Sequence, residues 1–366
     1  MKKRFFLLLA LAMLAVSTAA CGGSEDVVDD TVAEVTEEVT EEVTEEVTSE
    51  VTEEVVPEGF YRSELTNEII SEELKDQRPV AVMVDNEKTA LPHFGLTQAD
   101  VVYEIMNSTA NGEITRFMAL VKDWGKIEQF GSIRSLRPTN ILLANEWNAI
   151  ICHDGGPYHN DPYLALKATD NLSGGFGRVN NGKSREFTEY ILTGEVAKKA
   201  AAKGIETTYN EYYEGPHYKF AAKETDLTEN YAEFAKPATF IDLPFGHNGS
   251  ELKYNEEDGL YYYSEYGAPH KDPQNDNKQL AFKNLIIQKV SYNQLDENGY
   301  LIFNCIGGGD GFYITNGKRI RVAWTKGSDT EPTRYYDGMG NEIELNTGKT
   351  YVAFVADQRW DELVVE

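Results

Sequence analysis

The chain has 366 residues, with 61 acidic and 34 basic side chains, and its formal net charge at pH 7 is −27. This acidity argues against nucleic acid as the main partner, because neutralising phosphates requires clustered Lys and Arg. The 308 residues after position 58 are enough for two domains with hydrophobic cores.

The N-terminus has the pattern of a secretory leader. Three cationic residues at positions 2–4 precede the apolar run Phe5–Val16, and small residues at positions 17–20 follow it. The apolar run is too short to span a bilayer comfortably, so residues 1–20 are predicted to be a cleaved signal peptide.

Cys21 directly follows the small residues, an arrangement that resembles the bacterial lipobox. The resemblance implies a diacylglyceryl group, with acyl chains such as palmitate, on Cys21. The mature protein would then be anchored through this lipid to the outer face of the cytoplasmic membrane. Thr18 stands where such boxes usually carry Leu, and the alternative is an ordinary secreted protein with a chance cysteine.

Residues 21–58 are predicted to be a tether. From Ser24 to Glu58 the chain repeats Val-Thr-Glu-Glu and carries fifteen acidic residues and no basic one. The valines are β-branched and the glutamates repel one another, so an extended linker is expected instead of a stable helix. The alternative is an acidic tail that recruits a basic partner.

The region 59–237 reads as an α/β domain. Apolar runs predict strands, and helices are predicted between and after them: strands at Pro79–Val84, Val101–Met106, Arg116–Val121 and Ala149–Cys152, and helices at Thr139–Trp147 and Thr193–Lys203. Strands covered by helices indicate a layered α/β arrangement.

A cationic segment precedes the first of these helices. Pro138 suits the first turn of a helix, so Arg134 and Arg137 lie just before the start of the predicted helix. The backbone N–H groups at a helix start already carry partial positive charge, so the arginines add to it. The local sequence contains no anion. Either carboxylates from elsewhere in the fold or a bound ligand must supply one.

Other polar residues fall where the strands begin, end or are interrupted. The first interpretation is an internal ion-pair network without a ligand, in which three arginines pair with three carboxylates: Arg116, Arg134 and Arg137 with Glu104, Asp85 and Asp154. The second is a site for an anionic or saccharide ligand, because in open α/β sheets such positions line the binding crevice. The predicted ligand-binding residues are Arg134, Arg137, Arg116, Asp85, Asn86, Glu104, His153 and Asp154.

The region 238–366 reads as a mostly antiparallel β unit. Aromatic and β-branched runs predict strands, and Asn298-Gly299 and Asn316-Gly317 predict hairpin turns. The glycine-rich segment Gly307–Gly311 is interpreted as a flexible bend, because no Lys-Ser or Lys-Thr follows it as in a phosphate loop.

Two cysteines remain after Cys21. Cys152 and Cys305 each lie in an apolar run, so buried free thiols are predicted, with a disulfide between them as the alternative. No motif indicates a cofactor. Two histidines and two aspartates between His153 and Asp161 are the only plausible metal set, but their spacing matches no established ligand motif, so no metal is predicted.

Several segments resemble the YerB-like family of Gram-positive lipoproteins, whose activity is not established. They are Pro79–Asn86, Gly95–Glu104, Ile114–Phe117, Gly131–Pro138, Asn148–Gly156, Phe282–Gln288, Asn316–Lys318, Ala323-Trp324 and Gly348–Thr350. The resemblance implies an α+β fold of layered sheets with helices, similar to a β/β/α sandwich.

The chain departs from the family pattern at two places. Asn111–Glu113 stands where an acidic residue followed by glycines is common, and Ser184–Glu186 stands where a Pro-His-Asn segment is expected. The missing histidine favours binding over catalysis. We therefore expect a lipid-anchored module that binds a small anionic or saccharide ligand or an envelope protein. The alternative is an envelope hydrolase that uses Asp85, Glu104, His153 and Asp154.

Overall fold

The computed structural model describes residues 55–366. The predicted signal peptide, the lipidation at Cys21 and all but the last few residues of the tether lie outside the described residues. Within residues 55–366, no helix is both long and apolar enough to span a membrane.

The described residues are rich in short strands, which are numbered here in chain order. They are β1 (Phe60–Arg62), β2 (Ile69–Ser71), β3 (Val80–Asp85), β4 (Val101–Met106), β5 (Thr115–Val121), β6 (Gln129–Gly131), β7 (Ile150–His153), β8 (Asp170–Ser173), β9 (Gly177–Arg178), β10 (Glu189–Leu192), β11 (Lys236–Pro237), β12 (Phe240–Asp242), β13 (Glu251–Asn255), β14 (Leu260–Glu265), β15 (Ala268–Pro269), β16 (Lys271–Asp272), β17 (Lys278–Gln279), β18 (Ala281–Phe282), β19 (Asn284–Val290), β20 (Tyr292–Gln294), β21 (Leu301–Phe303), β22 (Gly307–Thr315), β23 (Lys318–Lys326), β24 (Arg334–Tyr336), β25 (Thr350–Ala356) and β26 (Val364–Val365).

The α-helices of the same part of the chain are α1 (Pro138–Asn145), α2 (Asp161–Leu164), α3 (Glu195–Lys203) and α4 (Leu227–Tyr231). Pro138 occupies the first turn of α1 and Arg137 before it is extended, as Pro requires of its predecessor. Gly204 ends α3 with φ 67°, a left-handed conformation that glycine adopts without steric cost.

The centre of the fold is an 11-stranded mixed sheet. Its strands run in the order β11-β23-β22-β19-β25-β4-β5-β3-β7-β8, and β24 pairs with β23. The last long strand, β25, lies parallel between β19 and β4. The two regions predicted from the sequence therefore share one sheet, while the boundary between residues 237 and 238 stays a prediction.

Both faces of this sheet are buried, which explains the continuous apolar runs of its strands. Along β3, Val80, Val82 and Val84 belong to one hydrophobic cluster, whereas Ala81 and Met83 belong to the other. Helix α1 contributes to the second cluster, and the six-stranded sheet built on β12–β14 contributes to the first. The predicted α+β fold of layered sheets with helices is confirmed.

The interpretation of Gly307–Gly311 as a bend is wrong, because these residues begin β22 and pair with β23. A Cβ on Gly309 would lie 2.8 Å from Trp324 Nε1, and one on Gly311 would lie 2.5 Å from the Ile287 carbonyl oxygen. Glycine is needed at these two positions because neighbouring groups lie too close to leave room for a side chain.

Cys152 and Cys305 are buried free thiols, as predicted. Burial raises the pKa of each thiol to about 12, so both are protonated at neutral pH. They pack as small apolar side chains.

Candidate functional site

A pocket of about 830 Å³ lies where β3, β5 and the segment before α1 meet. Three arginines, Arg116, Arg134 and Arg137, line it. Its other lining side chains include amides, a hydroxyl and an aromatic ring from both predicted regions of the chain: Asn107, Ser108, Asn298 and Tyr300. We call it the arginine pocket.

The backbone brings the charged side chains to this pocket. Asp85 ends β3 and Arg116 lies near the start of β5, and the two residues are direct partners in the antiparallel ladder. The Arg134 N–H donates to the carbonyl oxygen of Met83 at 2.9 Å, which holds the arginine segment beside the end of β3. Arg137 follows as the N-cap residue of α1.

Arg134 is neutralised by carboxylates of the protein. Its Nε lies 2.9 Å from Asp85 Oδ2, and its Nη2 lies 2.6 Å from Glu186 Oε2. The hydrogen bond from Arg134 lowers the pKa of Glu186. Carboxylates from elsewhere in the fold therefore supply the negative charge for this arginine, which is one of the two possibilities that the sequence left open.

Arg116 and Arg137 have no such partner among the described residues. Arg116 Nη1 donates to the Ser135 carbonyl oxygen at 2.9 Å, and Arg137 Nη1 donates to the Leu136 carbonyl oxygen at 2.8 Å. Both Nε atoms are buried without a hydrogen bond, and the residues are only 9% and 7% exposed. The Arg137 guanidinium lies 4.5 Å from the centre of the Tyr300 ring.

Burial lowers the pKa of Arg116 to about 10 and that of Arg137 to about 9. Attraction to Asp85 counteracts the fall for Arg116, whereas repulsion from the neighbouring arginines adds to it for Arg137. Both remain protonated at neutral pH. Glu87 and Glu297 also line the pocket, but Glu297 is exposed and Glu87 is half-buried, so water screens their charges. Among the described lining residues, Asp85 is the one buried carboxylate, and its ion pair is with Arg134. The three arginines therefore leave an excess of positive charge at the cavity.

Asn86 and Glu104 do not line the arginine pocket. Glu104 is fully buried and accepts hydrogen bonds from Asn86, Asn248 and four hydroxyl groups, those of Thr115, Ser250, Tyr263 and Tyr351. Burial raises the pKa of Glu104, and these donors counteract the rise. Glu104 thus organises a polar network inside the fold.

His153 and Asp154 also lie outside the arginine pocket. His153 is buried, and its Nδ1 lies 2.9 Å from the Gly155 carbonyl oxygen. Asp154 Oδ2 lies 3.7 Å from Arg178 Nη2. The four residues of the hydrolase hypothesis are thus not gathered around one cavity in the described structure.

Comparisons with known proteins identify the family to which the chain belongs. Residues 65–206 match the family model described as the N-terminal domain of a protein of unknown function, DUF3048, and residues 241–352 match the C-terminal domain of the same family. The chain belongs to the DUF3048 family.

A protein of Bacillus subtilis named "Putative lipoprotein YerB" is 26% identical over 318 residues, which cover 83% of this chain and 86% of that protein. The crystal structure of YerB from B. subtilis superposes with a TM-score of 0.70 at 24% sequence identity, over 83% of this chain and 99% of that one. The architecture described above is therefore also found in a solved structure.

Both departures of this DUF3048 protein from the family pattern reach the arginine pocket, since Asn111 lines it and Glu186 pairs with a lining arginine. Glu186, in the segment Ser184–Glu186, is the residue that pairs with Arg134. The sequence indicated that this segment was unusual, but nothing in the local pattern connected it to the arginines.

Sequence reasoning also missed Tyr300 and Asn298, which line the pocket from the loop between β20 and β21. Asn298-Gly299 was read only as a hairpin turn, and the loop that holds it spans residues 295–300 between the two strands. Its contact with the arginines is a long-range contact that local patterns cannot reveal.

Proposed function

We propose that this DUF3048 protein is a lipid-anchored extracytoplasmic protein that binds a small anionic ligand in the arginine pocket. The anchoring part rests on the leader pattern of residues 1–20, on Cys21 directly after it, and on the name of the YerB relative. The acidic repeat that follows would hold the folded part away from an anionic membrane surface.

The observation that carries the binding part is that Arg116 and Arg137 are buried in the pocket and neither forms an ion pair with a carboxylate of the described residues. Removing one partner from a buried ion pair typically costs about 3–5 kcal/mol, because it leaves a buried charge uncompensated. Arg116 and Arg137 are buried and donate to backbone carbonyl oxygens, and neither forms an ion pair with a carboxylate of the described residues. An anion that accepts hydrogen bonds from their guanidinium groups would supply the missing charge.

The shape and lining of the pocket narrow the class of ligand. A volume of about 830 Å³ suits a molecule of the size of a phosphorylated or acidic sugar. Asn107, Ser108 and Asn298 offer neutral donors and acceptors for hydroxyl groups, and the Tyr300 ring offers an apolar surface. These features favour a small molecule over a protein partner at this site.

Calorimetric titration of the full-length protein in detergent with inorganic pyrophosphate, and separately with glucuronic acid, tests the proposal. Arg137→Gln should weaken binding of the accepted probe roughly 10- to 100-fold, because a charge-assisted hydrogen bond contributes about 1.5–3 kcal/mol. Arg321→Gln, at an exposed position of β23, is the matched control and should leave binding unchanged. Equal affinities of the wild type and Arg137→Gln for both probes would refute the proposal.

A further inference from the structure

A second group of side chains lies apart from the arginine pocket. It consists of His93, Glu265 and His270, which are 0%, 2% and 3% exposed. Each offers one ligand atom, and these atoms lie within 4.8 Å of one another. From these residues we infer a buried site for a divalent transition-metal ion, with Zn²⁺ as the best match.

The hydrogen bonding of the two imidazoles is incomplete. Neither ring nitrogen of His93 forms a hydrogen bond of good geometry, although the Asp85 backbone lies close to the ring, and Nε2 of His270 forms none. A buried polar atom without a partner costs about 1–3 kcal/mol, so unpaired buried atoms call for an explanation. Lone pairs of neutral imidazole are the commonest protein ligands for zinc, and coordination would satisfy them.

The charges around this group also favour a cation. Glu265 Oε2 lies 3.3 Å from Asn248 Nδ2, and the same Nδ2 lies 2.8 Å from Glu104 Oε1. Within residues 55–366, neither carboxylate forms an ion pair with Lys or Arg. Two buried carboxylates therefore share one amide group, and a divalent ion would supply the compensating charge.

The geometry suits a small tetrahedral ion. Ligand atoms at about 2.0–2.2 Å from zinc lie roughly 3.3–3.6 Å from one another, so modest side-chain rotations would close the set around an ion. Glu265 Oε1 already lies 2.7 Å from His270 Nδ1. These two atoms need to separate only slightly to bind the same ion. Two nitrogens and one oxygen occupy three positions of a tetrahedral zinc site and leave the fourth for a water molecule.

A metal here would join two layers of the fold. His93 precedes β4 of the central sheet, whereas Glu265 ends β14 in the six-stranded sheet and His270 follows soon after. None of the three lines the arginine pocket, and the group is buried, so the ion would be incorporated as the chain folds. We assign it a structural function that is independent of ligand binding.

The test is metal analysis of full-length protein that has been unfolded with EDTA and refolded with Zn²⁺ or Co²⁺. We expect about one ion per chain to survive gel filtration, a higher Tm than after metal-free refolding, and visible d–d absorption for the cobalt form. Refolded wild type without bound metal and with an unchanged Tm would overturn the inference, and this measurement needs no variant.

Variants then assign the ligands. His270→Gln and His93→Gln should each reduce retained metal roughly tenfold or more. His217→Gln is the matched control, because His217 is equally buried but stacks on Trp147 with ring centres 3.9 Å apart. It should lower stability and keep the metal. If His217→Gln lost as much metal as His270→Gln, the loss would follow from destabilisation and the assignment would fail.

Discussion

The substitution Lys326→Met should destabilise the protein strongly. Glu146, next to the end of α1, is completely buried, and Lys326 Nζ lies 2.9 Å from its Oε2. His217 Nε2 lies 3.2 Å from the other carboxylate oxygen, and Thr333 and Tyr103 donate hydrogen bonds to the same group. Methionine is unbranched and one heavy atom shorter than lysine, and it removes the charge, which leaves a buried carboxylate without its main counter-ion.

Two arguments give the magnitude. Breaking a buried ion pair typically costs about 3–5 kcal/mol. Burial alone would raise the pKa of Glu146, but Lys326 and His217 outweigh it and lower the pKa from the usual 4.5 to about 2. A depression of this size corresponds to on the order of 3 kcal/mol of folding free energy. Because the folded-state pKa is depressed, this contribution is present above about pH 4.5 and is lost as the pH falls toward 2.

The assay is urea-induced unfolding of wild type and Lys326→Met at pH 7 and at pH 3.5. We expect a deficit of about 3–5 kcal/mol at pH 7 and a smaller one at pH 3.5, where Glu146 is increasingly protonated in the variant. The exposed Lys271→Met is the matched control and should change stability by less than about 0.5 kcal/mol. A deficit below about 1 kcal/mol at pH 7, or one that grows at lower pH, would refute the reasoning.

Two further substitutions test other parts of the description. Cys21→Ala should move the protein from the membrane fraction to the soluble extracytoplasmic fraction, because one signal for lipid attachment is removed, and cell fractionation with immunoblotting would show it; continued membrane association would argue against lipidation at this residue. Gly309→Ala should lower the free energy of unfolding by about 1–3 kcal/mol, because the new methyl group would lie 2.8 Å from Trp324 Nε1. Thermal unfolding measures the loss, and an unchanged Tm would show that the tryptophan can move away.

The strands that the sequence predicted best are those with the most uniform burial. The predicted bounds of the strand Val101–Met106 agree with those in the structure. All six residues are buried, so apolar side chains are favoured on both faces of the strand and the apolar run is continuous. Asn316-Gly317 was also read correctly as a tight turn, since Thr315 pairs with Lys318 and both turn residues have positive φ.

Strand order could not be read in the same way. Nothing in the apolar run Thr350–Ala356 indicates that it enters the sheet between β4 and β19, whose residues lie far apart along the chain. The packing of the whole core determines which buried strands pair, and local hydrophobic patterns contain no information about that pairing. Gly307–Gly311 was misread for a related reason, because the close contact with Trp324 comes from the neighbouring strand.

The positive charge before α1 can be read from local sequence alone, since Pro138 marks the helix start and Arg134 and Arg137 precede it. The local sequence also carries the leader and tether patterns, which depend only on local composition. Which arginine forms ion pairs with carboxylates depends on the folded arrangement of the chain. Asp85 and Glu186 pair with Arg134 and leave Arg137 beside the Tyr300 ring, because ion pairs depend on distances of a few ångströms between residues remote in the chain.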